Sequence, residues 1–222
     1  MKKIVGLWVL SVMIGCSYQK KKESACTDST LYGYVSICLP EIGGMTECRA
    51  HASVQAVIQP YLASGPVLGY YLNNETYKQV DKLNEITYED YFMIYGDYQR
   101  ENYAAQEADL DLAEKALEET LFDGTHFDRI SSRVEADYGT ITAGQPALLE
   151  KYSRHRNVRT MIVLMKYKNG ENETSVVSAV DFVLVKNRLF NLAYYVAYSG
   201  GKSIDDAKIK NDAFVEKLLQ LN

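Results

Sequence analysis

The side chains of this 222-residue chain that are best suited to nucleophilic or metal chemistry are its four cysteines and three histidines. No two cysteines have the C-x₂-C spacing of a zinc site, and the histidines at 51, 126 and 155 have no partner four residues away. A metal site is therefore not predicted. The Gly-x-Ser-x-Gly elbow of a serine hydrolase does not occur either. The sequence predicts a protein that is not an enzyme and that binds no metal or other cofactor.

Cys16 is the cysteine with the most informative neighbours. Two lysines and an apolar run from Ile4 to Gly15 precede it, which are the proportions of a secretory signal and fall short of the ~20 residues of a membrane-spanning helix. The run ends in Met-Ile-Gly-Cys, which resembles a bacterial lipobox with Met13 in place of the usual leucine. The resemblance implies that residues 1–15 are removed and that the Cys16 thiol carries a diacylglyceryl anchor. The alternative is an ordinary secretory signal in which Cys16 has no role.

Residues 16–29 are predicted to form a polar, lipidated tether, in which Lys20, Lys21 and Lys22 are either solvated or close to anionic lipid headgroups. Ser17 resembles the residue that directs lipoproteins to the outer membrane in enteric bacteria. The expected location is the bacterial cell envelope, with the protein lipid-anchored and facing the periplasm or in the outer membrane. Without residues 1–15 the net charge is −7. No excess of positive charge remains for phosphate contacts, so nucleic acid is not an expected partner.

The three remaining cysteines, Cys26, Cys38 and Cys48, would lie in an oxidising compartment, where one intramolecular disulfide is possible. We expect Cys38 to pair with Cys48, because the turn-rich segment between them contains Pro40 and two glycines. Cys26 lies in the tether and is able to compete for either partner.

Two groups of side chains are candidates for binding. Basic residues before a predicted strand provide a contact for an anion or an acidic partner surface: Lys151, Arg154, His155, Arg156 and Arg159. Tyrosines concentrated in one third of the chain provide an aromatic binding surface: Tyr70, Tyr71, Tyr91 and Tyr95. A solvated loop is the alternative for the first group, and packing of half-buried strands is the alternative for the second.

The elements that would position these residues follow from the apolar periodicity and the turn signals. In the first two thirds the predicted elements are a strand at Tyr32–Leu39, a helix at Glu47–Gln59, strands at Pro66–Leu72 and Asp90–Tyr95, a helix with Leu110, Ala113, Leu117 and Leu121, helical turns with Phe127, Ile130 and Val134, and a short helix at Pro146–Tyr152.

The last third predicts a three-stranded antiparallel meander of strands Val158–Tyr167, Thr174–Val185 and Leu189–Ala197. Asn169-Gly170 is a hairpin signal, and a tight turn near Lys186-Asn187 joins the second and third strands. A closing helix follows, with Ser203 as its N-cap and with Phe214, Leu218 and Leu219 facing inward. Residues 30–222 are therefore predicted to be a single α+β domain, an antiparallel sheet covered by helices.

The stretch Gly144-Gln145-Pro146-Ala147, the long meander and the closing helix resemble the PsbP-like fold. This resemblance implies an α/β/α sandwich and a non-enzymatic binding or accessory role. The expected partners are the membrane, through the lipid anchor, and a protein of the envelope. One alternative is an immunity lipoprotein, whose acidic body would speed its encounter with a basic toxin. An envelope hydrolase, with a nucleophile and base in one cleft, is the alternative from another class.

Overall fold

The computed structural model describes residues 26–85, 90–123, 141–169 and 172–222, which form a mixed α+β unit with a large antiparallel sheet. The strands are β1 (Asp28–Tyr32), β2 (Val35–Leu39), β3 (Met45–Glu47), β4 (Val67–Asn73), β5 (Tyr91–Tyr95), β6 (Ile141–Tyr152), β7 (Val158–Asn169), β8 (Asn172–Val185) and β9 (Arg188–Ala197). The α-helices are α1 (Ala52–Ile58), α2 (Asn74–Tyr77), α3 (Glu107–Phe122) and α4 (Gly201–Leu221), and 3₁₀ turns lie at Tyr61–Ala63 and Val80–Glu85. Strands β3 to β9 form one seven-stranded sheet in the order β3-β4-β5-β9-β8-β7-β6, and β1 pairs with β2 alone.

The C-terminal meander is confirmed. Strands β7, β8 and β9 pair antiparallel in sequence order, and the β7–β8 ladder continues to the pair Asn169–Asn172. Lys186 and Asn187 join β8 to β9 with φ values of 48° and 59°, as a two-residue hairpin turn with two left-handed positions requires. Gly170 and the predicted helical turns between 127 and 134 lie outside the described residues.

The strand expected at Tyr32–Leu39 is two strands, because the chain reverses at Gly33. Gly33 has a φ of +58°, and a Cβ atom at this position would lie 2.2 Å from the carbonyl oxygen of Glu101. Only glycine fits both the left-handed backbone and this close approach. The tight turn therefore converts the predicted strand into the β1–β2 hairpin. The hairpin begins at Asp28, so the boundary expected between tether and domain at residues 29 and 30 falls inside β1.

The segment at Pro146–Tyr152 is an extended part of β6, and the short helix predicted there is wrong. β6 is the last strand of the sheet, and its register with β7 shifts between Gly144 and Ala147. An edge strand and an irregular register both tolerate a proline, because no N–H is then missing from a continuous ladder. Pro146 marks this irregularity and not the start of a helix.

Helices cover both faces of the sheet, because apolar residues on the central strands alternate between them. On β4 the buried side chain of Tyr71 faces α4, whereas Tyr70 and Leu72 face α1. The core beneath α4 also includes the β1–β2 hairpin and is the largest, and α3 packs on the opposite face over β6, β7 and β8. The helix before Pro60 is shorter than expected, since Glu47 belongs to β3 and α1 begins at Ala52.

The closing helix α4 docks as predicted, with Phe214 and Leu218 fully buried and Leu219 partly buried. It begins three residues earlier than expected, because its N-cap is Gly200 and not Ser203. Ser203 still bonds the helix start, because its hydroxyl donates to the Gly200 carbonyl and accepts from the Ser199 N–H. Among the described residues no helix has the length and apolarity needed to cross a membrane.

Candidate functional site

The disulfide joins Cys26 to Cys38, with 5.5 Å between the Cα atoms, and the predicted Cys38–Cys48 pair is wrong. The β1–β2 hairpin returns the chain so that Ser29 lies opposite Cys38, which brings Cys26 within reach. Cys48 follows β3 and packs in the core beneath α1, where its thiol approaches the Tyr70 carbonyl at 3.3 Å. Burial raises the pKa of the Cys48 thiol to about 12, so this cysteine is unreactive in the folded protein.

The basic group does not form one surface, because its members pair with acidic residues on opposite sides of the sheet. The ion pairs are Lys151–Glu118 at 2.8 Å and Arg159–Asp111 at 2.7 Å toward α3, and Arg154–Asp212 at 2.9 Å and His155–Glu216 at 3.2 Å toward α4. Within the described ranges only Arg156 of this group has no ion pair, and it lines a cavity of about 540 Å³ at the start of α3. Arg156 is therefore the one guanidinium of this group that is exposed and has no ion pair within the described residues.

Three of the four tyrosines proposed as a binding surface are buried, which supports the packing alternative. Tyr70, Tyr71 and Tyr91 have exposed fractions of 2%, 1% and 8%. Tyr91 stacks on Tyr70 and on Tyr195 with ring centroids 5.5 and 4.7 Å apart. Tyr95 is partly buried against the same cluster. These rings stabilise the β4–β5–β9 part of the sheet and do not form an exposed aromatic surface.

A two-lobed cleft lies between the disulfide-bonded hairpin, the loop after β2 and the C-terminal end of α4. Both lobes share Thr27, Leu39, Pro40 and Glu41. The larger lobe, of about 430 Å³, is completed by Asp28, Ile42, Met45, Glu47 and Tyr71. The smaller lobe, of about 310 Å³, is completed by Lys217, Gln220 and Leu221. The cleft therefore depends on residues that are far apart in sequence and was not predicted.

Carboxylates and a buried phenol line the larger lobe. One nitrogen of the Arg49 guanidinium lies 3.3 Å from Asp28 and 3.1 Å from Glu47, and Glu41 accepts a hydrogen bond from the Thr27 hydroxyl at 3.1 Å. The Tyr71 hydroxyl is buried and has no hydrogen-bond partner in the described part of the chain. Burial, with the nearby carboxylates of Glu47 and Asp28, raises the pKa of Tyr71. Tyr71 is therefore neutral at physiological pH and is able both to donate and to accept.

A second polar group is buried between the sheet and α4, away from the cleft. Asp181 on β8 is fully buried, and its Oδ1 accepts from Thr160 Oγ1 at 2.6 Å and from Asn211 Nδ2 at 3.1 Å. Asp181 Oδ2 and Asn211 Oδ1 have no hydrogen-bond partner among the described residues. Burial is the main cause that raises the pKa of Asp181, to about 7, with Asp212 adding to it and the two hydrogen bonds opposing it. The sequence contains a signal for this group, namely one aspartate within the apolar run of β8.

The described residues contain no group of three or more histidine, cysteine, aspartate or glutamate side chains placed to hold a metal ion. Comparison with known proteins finds no matching family model, no similar curated protein and no similar solved structure. The candidate site therefore rests on the geometry of this chain alone, and the cleft is the place where polar groups and apolar walls converge.

Proposed function

We propose that this protein is a lipid-anchored module of the bacterial cell envelope that binds or assists another molecule without catalysis. The observation that carries the proposal is the charged, apolar N-terminal segment ending in Gly15-Cys16. Each buried methylene contributes about 0.8 kcal/mol to membrane binding, so two or three acyl chains on Cys16 give durable anchoring. The polar tether then holds the α+β domain outside the bilayer.

The disulfide supports an extracytoplasmic location. Cys26 and Cys38 are joined at the point where the predicted tether enters the folded domain, and disulfides persist mainly in oxidising compartments such as the periplasm. This covalent link joins the end of the predicted tether, at Cys26, to strand β2 of the domain, at Cys38. The proposal includes a protein partner in the envelope and excludes nucleic acid, since the mature chain has a net charge of −7.

We also propose that the α+β domain has a PsbP-like fold, which is an α/β/α sandwich. It is supported by the order of the last elements, a long antiparallel meander followed by α4, and by helices on both faces of the sheet. That resemblance implies an accessory role, for which the two-lobed cleft offers a binding place.

The anchor is tested by the Cys16→Ala variant, expressed in a bacterial host in the presence of a labelled fatty acid. We expect the wild-type chain to incorporate label and to sediment with membranes, and the variant to lose both properties. Cys48→Ala is the matched control, because it removes a cysteine without removing the acceptor thiol. Membrane association of the Cys16→Ala variant, together with an unlabelled wild-type chain, would contradict the proposal.

A further inference from the structure

The strongest unassigned feature is the Tyr71 hydroxyl at the larger lobe of the cleft. Tyr71 is only 1% exposed, and its oxygen has no hydrogen-bond partner in the part of the chain that the structure describes. Buried polar atoms in folded proteins are nearly always hydrogen-bonded, so a buried hydroxyl beside a cleft and without a partner among the described residues is a candidate acceptor for a bound donor. Its ring is fixed by an edge contact with Phe214, with 5.0 Å between ring centroids, which holds the hydroxyl in place.

The charges around this hydroxyl favour a ligand that donates hydrogen bonds. The lobe is lined by the carboxylates of Asp28, Glu41 and Glu47. Among the residues that the structure describes, only the Arg49 guanidinium forms an ion pair with any of them. In the smaller lobe the Lys217 ammonium donates to the Glu41 carbonyl oxygen at 3.1 Å. One negative charge remains in excess, so an anionic ligand would be repelled and a cation attracted.

Apart from Thr27, the remaining walls of the lobe are apolar. They consist of Leu39, Pro40, Ile42 and Met45. A ligand that fills the lobe must therefore combine a compact cationic head with a slender apolar stem. Lysine side chains have this form, since an ammonium has three donors and its four-carbon stem is able to pack along apolar surface.

We propose that this cleft binds a primary ammonium group carried on an unbranched alkyl stem, as in a lysine side chain. The ammonium donates to the Tyr71 hydroxyl oxygen and to the carboxylates at the rim, and the stem lies against Pro40 and Met45. This inference rests on the binding role proposed above but not on the lipid anchor.

Two sources supply this chemistry. One is the chain itself, because Lys20, Lys21 and Lys22 precede Cys26 by four to six residues. Six extended residues span at most about 20 Å, and the attachment makes their local concentration high. The other source is a lysine or an alkylamine of a second molecule. Both sources place the same group in the cleft, and the experiment separates them.

The test uses the full chain in detergent micelles with ¹³C-labelled methionine methyl groups, so that Met45 reports on the lobe. The probe is Nα-acetyl-lysine N-methylamide, and the neutral probe is Nα-acetyl-norleucine N-methylamide. We expect a saturable shift of the Met45 methyl resonance with the lysine probe alone. Tyr71→Phe should weaken binding about tenfold, the range for a hydrogen bond to a charged group, and Glu41→Gln should also weaken it.

Tyr70→Phe is the matched control, because it removes a neighbouring hydroxyl on the opposite face of the sheet and should leave the affinity unchanged. Tyr71→Phe removes an unpartnered hydroxyl, so its melting temperature should stay close to the wild-type value. A combined Lys20→Gln, Lys21→Gln, Lys22→Gln variant separates the sources. Tighter probe binding in this variant identifies the tether lysines as the native occupant. Unchanged binding excludes them and leaves the amine of a second molecule as the source.

The inference is overturned by three results: no saturable shift in either the wild-type or the triple-glutamine chain, an equal response to the norleucine probe, or unchanged affinity in Tyr71→Phe. None of these results depends on fatty-acid labelling. Loss of the lipid anchor with intact probe binding would refute the envelope role and leave the cleft assignment in place.

Discussion

Replacing Asp181 by asparagine is expected to change how the stability of this protein depends on pH. In the folded protein Asp181 is fully buried, and its Oδ2 and the neighbouring Asn211 Oδ1 are two hydrogen-bond acceptors that have no donor in the part of the chain that the structure describes. A proton on Asp181 Oδ2 removes the negative charge that burial disfavours and turns this oxygen into a hydrogen-bond donor. An asparagine at position 181 presents an N–H₂ group in the same place at every pH.

The magnitude follows from the pKa of Asp181, which burial raises from an ordinary value of 3.8 to about 7. The folded state therefore retains a proton that the unfolded chain releases above about pH 4. This contribution to stability is complete below that pH, is lost as the pH rises toward about 7, and changes no further above it. At about 1.4 kcal/mol for each pKa unit, the loss is about 4 kcal/mol.

The assay is urea denaturation of the wild-type and Asp181→Asn chains at intervals between pH 4 and pH 8. The two chains should have similar stability near pH 4, and the variant should be more stable by about 4 kcal/mol at pH 8. Other titrating groups cancel in the difference. Asp205→Asn is the control, because it removes an exposed carboxylate from α4, the helix that carries Asn211. Parallel curves for the wild-type and Asp181→Asn chains would refute the reasoning, and so would a variant that becomes relatively weaker as the pH rises.

Two further predictions concern the cysteines and the closing helix. Peptide mapping without reduction should recover Cys26 linked to Cys38, and a peptide with Cys48 in disulfide linkage would contradict this prediction. Alkylation should reach Cys48 only after unfolding. Reduction of the disulfide should lower the free energy of unfolding by about 3 kcal/mol, the range for so short a loop. Leu218→Ala should cost about 2–5 kcal/mol, because this side chain is fully buried. The matched change Ile209→Ala on the same helix, at a side chain that is 67% exposed, should cost less than about 0.5 kcal/mol, and equal melting temperatures for the two variants would show that α4 is not docked.

The elements that could be predicted from the sequence are those whose periodicity and turn residues agree. The meander is one example, since β-prone runs are separated by turn signals, and Lys186 and Asn187 adopt the left-handed conformations that their turn requires. The inward positions of α4 are another, because a 3.6-residue apolar stripe that includes Phe214 has only one face to bury. The signal-like segment before Cys16 is a linear pattern of charge and apolar length, so it can be recognised without a fold.

The predictions from the sequence that proved wrong concern segments in which a long-range contact decided the local conformation. Gly33 lies in an alternating pattern that predicts one strand, but the carbonyl of Glu101 leaves room only for a glycine turn. Proline is favoured at the first position of a helix, yet Pro146 lies in β6, the edge strand of the seven-stranded sheet. The disulfide follows the same principle, because the register of the β1–β2 hairpin determines which cysteine reaches Cys38.

Sequence by itself therefore determined the α+β class, the C-terminal meander with its closing helix and the expectation of a lipid anchor, because each depends on residues that are near one another in the chain. Tertiary structure alone decided the disulfide, the burial of Tyr70, Tyr71 and Tyr91, the dispersal of the basic group into separate ion pairs and the cleft beneath α4. Burial and charge pairing depend on which distant segments meet. The Tyr71 hydroxyl becomes a candidate for ligand binding because packing buries it beside the cleft without a partner among the described residues.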